Sequence, residues 1–172
     1  CVGQAFAVGL LEFSGVGRRF SDLGDVIWST GSARLIDDYG HHPTELAVTL
    51  KAVREAFAGR RLVMVYQPHR YTRTRDHFDE FVSVLSEGQQ LVLLDVYAAG
   101  EPSIKGADSL SLANAIRTDG AIDPIVVSDQ TQLAKTLIEV LQDQDVLLMQ
   151  GAGDIGRLAA TLSQAERLEV LS

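Results

Sequence analysis

A chain of 172 residues, 46% hydrophobic and 22% charged, carries enough apolar material for one domain with an ordinary core. Its formal net charge of -8 and isoelectric point of about 4.9 exclude general nucleic-acid binding, which needs a basic face. No apolar run reaches the ~18 residues of a membrane span, no secretory leader pattern opens the chain, and the single cysteine, Cys1, excludes an internal disulfide framework and suits a reducing cytoplasm.

The run Ala5-Phe6-Ala7-Val8-Gly9-Leu10-Leu11-Glu12-Phe13 reads as the last turns of an apolar helix without a start. A chain opening on Cys1 is expected to be the carboxyl-terminal piece of something larger; a trimmed but self-contained protein is the alternative. The two glycines of Ser14-Gly15-Val16-Gly17 mark the expected boundary. Beyond it, residues 20–27 and 34–38 flank the turn-like Thr30-Gly31-Ser32 and predict an antiparallel pair near one sheet edge. Pro43-Thr44-Glu45 opens a helix whose apolar residues Leu46, Leu50, Val53 and Phe57 follow helical spacing, with Gly59 as its end. The β-branched and aromatic run 62–66 is a buried strand. Phe78, Phe81, Val82 and Leu85 mark a second helix that stops near Gly88.

Residues 91–96 form a near-continuously apolar strand, expected to be covered on both faces. A third helix spans roughly residues 109–117, and 125–127 is a strand. Leu133, Leu137, Val140 and Leu141 line a fourth helix, 146–149 is the last strand, and Ile155, Leu158, Ala159 and Leu162 lie on a final helix. Strands alternating with amphipathic helices imply right-handed crossovers. The expected fold is α/β and Rossmann-like: a mostly parallel sheet with helices on both faces and an antiparallel addition at one edge.

Open parallel sheets bind ligands beyond the carboxyl ends of their strands. The chemistry-rich segments fall there: residues 39–42, 67–75, 97–105 and 150–154. Pro68-His69-Arg70-Tyr71-Thr72-Arg73-Thr74-Arg75 gathers three arginines and a histidine in the loop expected after strand 62–66, against the charge of the whole chain. Guanidinium groups bind carboxylate or phosphate in a two-pronged way that lysine cannot copy, so this is a candidate anion site; the other reading is a solvated loop. Asp37-Asp38-Tyr39-Gly40-His41-His42-Pro43-Thr44 combines carboxylates, a phenol and imidazoles at a strand-to-helix turn. A carboxylate there suits a ribose, with Tyr39 or a histidine against a base; alternatively an aspartate caps the helix and the histidines are incidental.

No metal site is expected, since adjacent histidines rarely converge on one ion and no HxxxH or cysteine pair is present. Gly151-Ala152-Gly153-Asp154-Ile155-Gly156 matches the dinucleotide fingerprint, but follows the last strand and lacks the later acidic residue. Tight packing is therefore the better reading of its glycines. No G-x-x-x-x-G-K-[ST] loop occurs to cradle a triphosphate, and no G-x-S-x-G elbow for acyl transfer.

In order and separation, Gly17-Arg18-Arg19-Phe20, Asp37-Asp38-Tyr39-Gly40-His41-His42-Pro43-Thr44-Glu45, Gln67-Pro68-His69-Arg70-Tyr71-Thr72-Arg73-Thr74 and Gln150-Gly151-Ala152-Gly153-Asp154-Ile155-Gly156 resemble the Mur ligases, in the branch that joins L-alanine to UDP-N-acetylmuramate. The resemblance covers essentially the whole chain. It implies that residues 1–14 are the final helix of a central ATPase domain and 15–172 a Rossmann-like carboxyl-terminal domain, working with the two preceding domains of the same polypeptide.

It also implies a cytoplasmic reaction of peptidoglycan precursor synthesis. ATP phosphorylates the lactyl carboxylate of UDP-N-acetylmuramate, and the L-alanine amine then attacks the acyl phosphate. By the same resemblance Arg19 approaches the phosphates, Asp38 binds ribose, and Tyr39 and His41 lie beside nucleotide and amino acid. Arg70 and Arg73 clamp the alanine carboxylate. ATP arrives with Mg, whose ligands are expected in the central domain, so this chain alone is expected to be inactive. Two alternatives stand beside it. One is the related murein-tripeptide ligase, which tends to have Phe-Ala in place of Tyr39-Gly40 and lacks the arginine string. The other is a stand-alone nucleotide-binding module.

Overall fold

A computed structural model describes residues 18–120 and 122–172; the apolar run 5–13 and the expected boundary at 14–17 lie outside them. Six strands form one sheet: β1 (Ser21–Trp28), β2 (Gly31–Asp38), β3 (Leu62–Tyr66), β4 (Gln90–Leu94), β5 (Ile125–Val127) and β6 (Asp145–Gln150), in the order β1-β2-β6-β3-β4-β5. The β1–β2 pair is antiparallel and every other neighbour is parallel, so the antiparallel addition sits at one edge. Ser29 and Thr30 make the hairpin turn, and the Trp28 indole N–H donates to Thr30 Oγ1 at 2.8 Å.

Among the described residues the helices are α1 (Pro43–Ala56), α2 (Tyr71–Asp76), α3 (Phe78–Ser86), α4 (Ser109–Asp119), α5 (Leu133–Val140) and α6 (Ile155–Gln164), with short 3₁₀ turns at Gln130–Gln132 and Leu168–Leu171. Side chains alternate across the strands and find cover on both faces. Val63 and Val65 join Trp28, Leu35, Met149 and the inner residues of α5 and α6 in one core. Met64 and Tyr66 join Ile36, Phe81, Leu112 and the inner residues of α1 and α4 in the other. All five residues of β3 are buried for this reason.

Three local readings change. The arginine string is loop only as far as Arg70, because Tyr71–Asp76 coil into a helix of six residues, too short to show a hydrophobic period. Helix α1 ends at Ala56, and Gly59, with φ +85°, belongs to the turn beyond it. Leu141 lies past α5 as its cap, and Leu168 is buried in a terminal 3₁₀ turn that has no signature in the sequence.

Candidate functional site

Because β2, β6, β3 and β4 are neighbours, the turns that follow them stand side by side at the carboxyl edge of the sheet. The turn after β2 leads into α1 through a reciprocal cap. His42 Nδ1 accepts from Thr44 N–H at 3.4 Å, while the Glu45 carboxylate accepts from the His42 and His41 amides at 3.1 and 2.9 Å. Those amide bonds, with His41 and Arg19 nearby, hold the Glu45 carboxyl below its usual range despite the opposing cost of burial. The cap is thus a histidine, neither of the aspartates.

Asp38 lies inside the turn, 4% exposed. Its Oδ1 accepts from Gly40 N–H (2.8 Å), Gln150 Nε2 (2.9 Å) and Thr49 Oγ1 (3.1 Å), and its Oδ2 from Phe20 N–H (2.9 Å). Oδ1 thus carries three donors and Oδ2 one, which leaves an acceptor site on Oδ2. The same crowding requires a glycine at position 40, where a Cβ would come within 2.7 Å of both Asp38 Oδ1 and Gln150 Nε2.

The two arginines before β1 behave differently. Arg18 makes a two-pronged ion pair with buried Asp37 (2.9 and 3.1 Å), donates to the Gly151 carbonyl at 3.0 Å and stacks its guanidinium over Tyr39, 5.5 Å from the ring centre. Arg19 keeps 52% of its side chain in water and, among the described residues, pairs with Glu45 Oε1 at 3.4 Å. Beside it a cleft of about 270 Å³ is lined by Arg19, Phe20, Asp38, Thr44, Val48 and Thr49.

The glycine-rich turn is a packing device. A Cβ at Gly151 would come within 2.7 Å of the Gln67 carbonyl, one at Gly153 would strike the Gln67 side chain and Tyr97, and one at Gly156 would occupy the Arg18 guanidinium. Buried Gln67 ties this turn together, donating to Asp154 Oδ1 at 2.6 Å and accepting from Ile155 N–H at 3.0 Å.

The turn after β3 is braced by the one after β4: Arg70 N–H donates to the Tyr97 carbonyl (2.9 Å) and Tyr97 N–H to the Pro68 carbonyl (2.8 Å). This bracing holds Arg70 at φ 72°, an unusual conformation for a residue with a Cβ. Arg73 Nη1 lies 3.0 Å from His69 Nδ1 and donates to the His69 carbonyl at 3.1 Å. A guanidinium only donates, so Nδ1 is the acceptor and the ring proton rests on Nε2. Partial burial, with Arg73, His41 and Arg70 around it, holds the imidazole below its usual range.

A row of rings crosses the edge. Tyr39 meets His41 edge-on at 5.4 Å, His41 lies 5.7 Å from His69, and His69 stacks on Tyr97 at 5.5 Å with planes 11° apart. Tyr39 and Tyr97 are 37% and 40% exposed. The row joins Tyr39 and His41 to the histidine that Arg73 holds, and Arg70 leaves the same turn. Arg18, Gln67, Tyr97 and Glu101 were not singled out by sequence reasoning. Gln67, Tyr97 and Glu101 fell within flagged segments and Arg18 within the matched string, but their roles depend on partners elsewhere in the chain.

A Rossmann-like domain with an arginine-rich, aromatic-lined edge is the class that fold and site together define. The family model described as Mur ligase, glutamate ligase domain, matches residues 18–153, and the chain belongs to the Mur ligase family. Among solved structures it resembles the UDP-N-acetylmuramate–alanine ligase from Thermotoga maritima, at 26% identity and TM-score 0.63 over 88% of this chain and 30% of that one. It also resembles a murein peptide ligase from Psychrobacter arcticus, at 19% identity and TM-score 0.61 over 90% and 32%. A bifunctional folylpolyglutamate synthase/dihydrofolate synthase from Yersinia pestis, solved with AMPPNP and a Mn ion, aligns at 16% identity and TM-score 0.60 over 88% and 32%. The last two likenesses concern the fold alone. The chain thus spans about a third of the length of these ligases.

Proposed function

We propose that this chain is the carboxyl-terminal domain of an ATP-dependent ligase that joins L-alanine to UDP-N-acetylmuramate through an acyl phosphate, a step of cytoplasmic peptidoglycan precursor synthesis. The observation that carries the reading is the pair Arg70 and Arg73 around His69 at the carboxyl edge of the sheet. Two guanidinium groups, Arg73 held on His69 and Arg70 half in water, suit an amino-acid carboxylate, and holding that carboxylate orients the amine toward an acyl phosphate. Likeness to an alanine ligase at 26% identity supports the choice of amino acid.

On the nucleotide side, exposed Arg19 suits a phosphate and the cleft beside it suits part of a nucleoside. Tyr39 and His41 bridge the two halves, and Asp38, which holds the turn that carries them and also lines the cleft, accepts from the ribose. By the resemblance to the family, the magnesium that accompanies ATP is held in the ATPase domain that precedes this one. Phosphoryl transfer then belongs to the rest of the polypeptide, residues 1–14 being the end of the ATPase domain, and this domain alone ligates nothing.

Steady-state kinetics of the full-length polypeptide carrying this domain test the reading. Arg70→Ala should raise KM for L-alanine by roughly ten- to 150-fold, the worth of about 1.5–3 kcal/mol for a charged hydrogen bond, with little effect on KM for ATP. Arg70→Lys should recover little. Arg75, paired with its neighbour Asp76 at 2.7 Å, is the control and should matter less. An Arg70→Ala enzyme with unchanged alanine saturation but lower melting temperature would make the arginines structural. Acceptance of a peptide in preference to alanine would move the assignment to a peptide ligase.

A further inference from the structure

Helix α2 begins beside a residue that cannot cap it. Arg70 occupies the cap position, and a guanidinium offers no acceptor. The acceptor comes instead from the turn after β4. Ala99 (φ 50°) and Gly100 (φ 85°) are consecutive left-handed residues, and Glu101 N–H closes the turn on the Ala98 carbonyl at 3.0 Å. This turn swings Glu101 back over the first turn of α2. There its Oε2 accepts from Thr72 N–H at 3.0 Å and its Oε1 from Thr72 Oγ1 at 2.7 Å. Both bonds favour the ionised carboxyl and hold it below the usual glutamate range. Glu101 Oε1 also lies 3.8 Å from Arg70 Nη1, with 18% of the Glu101 side chain and 50% of the Arg70 side chain exposed.

A fixed negative charge therefore stands against one of the two guanidinium groups assigned above to the amino-acid carboxylate. Counting formal charges, Arg70 and Arg73 with neutral His69 make a subsite of +2. Glu101 reduces it to +1, matched to a ligand with one carboxylate. Without it the subsite would match a dicarboxylic amino acid. We propose that Glu101 is a specificity-determining residue: held on α2 beside Arg70, its carboxylate confines the subsite to amino acids with one carboxylate and disfavours acidic ones. This rests on the reading of Arg70 and Arg73 as the carboxylate clamp. It is discrimination by repulsion, in which the unwanted ligand meets a like charge.

The test uses the full-length polypeptide and compares L-aspartate with L-alanine, reading aspartate as substrate or as competitive inhibitor of alanine turnover. Glu101→Gln keeps a carbonyl oxygen for Thr72 and removes the charge. It should raise the aspartate-to-alanine ratio of kcat/KM, or of inhibitory affinity, about tenfold, equivalent to ~1.4 kcal/mol. The gain should shrink as salt screens the charge. Thr72→Val, which retains the charge but removes one of the bonds fixing it, should shift the ratio in the same direction by less, and serves if Glu101→Gln folds poorly. Were Glu101 only a helix cap, both substrates would weaken together and the ratio would stay put, which overturns the proposal. Arg70→Ala separates the two ideas: if it leaves alanine KM unchanged the clamp itself fails. If it raises alanine KM while Glu101→Gln leaves the ratio unmoved, only the specificity role fails.

Discussion

His69 shows how much one side chain can be constrained by its neighbours. Burial opposes its charged form most, and the guanidinium of Arg73 both occupies Nδ1 and repels a second proton. In a proton-carbon correlation titration, His69 should ionise below the ordinary histidine value of ~6.5. Arg73→Met should bring it back toward that value, because one repulsive charge and one competing hydrogen bond are gone. A His69 resonance that titrates at or above ~6.5 in the unaltered protein would contradict the tautomer drawn from the geometry. The same constraint gives the proposed clamp its direction, since an Arg73 tied to the His69 ring and carbonyl has few rotamers left to lose when it binds a carboxylate.

Among the elements, the turn from Gly151 into α6 shows how missing side chains make room for distant ones. It seats Arg18, whose partner Asp37 keeps only 5% of its side chain in water. Gly156→Ala should expel the guanidinium and leave Asp37 unpaired. A net loss of about 1–2 kcal/mol is expected, less than the ~3 kcal/mol for removing one partner of a buried pair, because Arg18 retains 27% of its side-chain surface in water and alanine favours the helix. If that is why glycine stands at 156, Gly156→Ala added to Arg18→Ala should cost little more than Arg18→Ala alone. A double-mutant cycle by urea denaturation measures the coupling, and simple additivity would mean that Gly156 serves the helix for another reason. Helix α2 illustrates a different dependence: six residues cannot sustain a helix by propensity, and its cap comes from another turn.

At the scale of the molecule, two cores on opposite faces share every central strand, so neither should persist without the other. The chain should unfold in one step, with the fluorescence of Trp28, the single tryptophan, and far-UV circular dichroism giving coincident curves. Separate midpoints would show independent halves. Acid should weaken it in two stages. His69 and the carboxyls of Glu45, Glu101, Asp129, Asp154 and Glu169 are all held below their ordinary ranges. For each, the unfolded chain binds the proton more readily, so the stabilisation is present above the unfolded value and lost as pH falls through the folded one. The melting temperature should hold level above pH ~6.5, decline as His69 is forced to ionise, and fall further below ~4.5 as the carboxylates protonate. A melting temperature that rose on acidification from neutrality would refute that assignment.

The alternation of strands and helices, the antiparallel edge, the family and the turns in which the chemistry lies are all legible in the order of residues. Burial on two sheet faces and along helix stripes is written residue by residue at short range, and the carboxyl ends of parallel strands follow from the order of elements. Which polar groups remain available depends on the folded arrangement. Asp37 and Asp38 are adjacent and alike in sequence, yet one pairs with Arg18 and the other gathers donors from residues 20, 40, 49 and 150. Arg18 and Arg19 part in the same way, as do the glycines that read as a cofactor fingerprint and serve as clearance for Gln67, Tyr97 and Arg18. The physical reason is common to all of them. A polar side chain is free or spent according to donors, acceptors and space brought to it by strands far away in the chain, and local pattern carries no record of those partners.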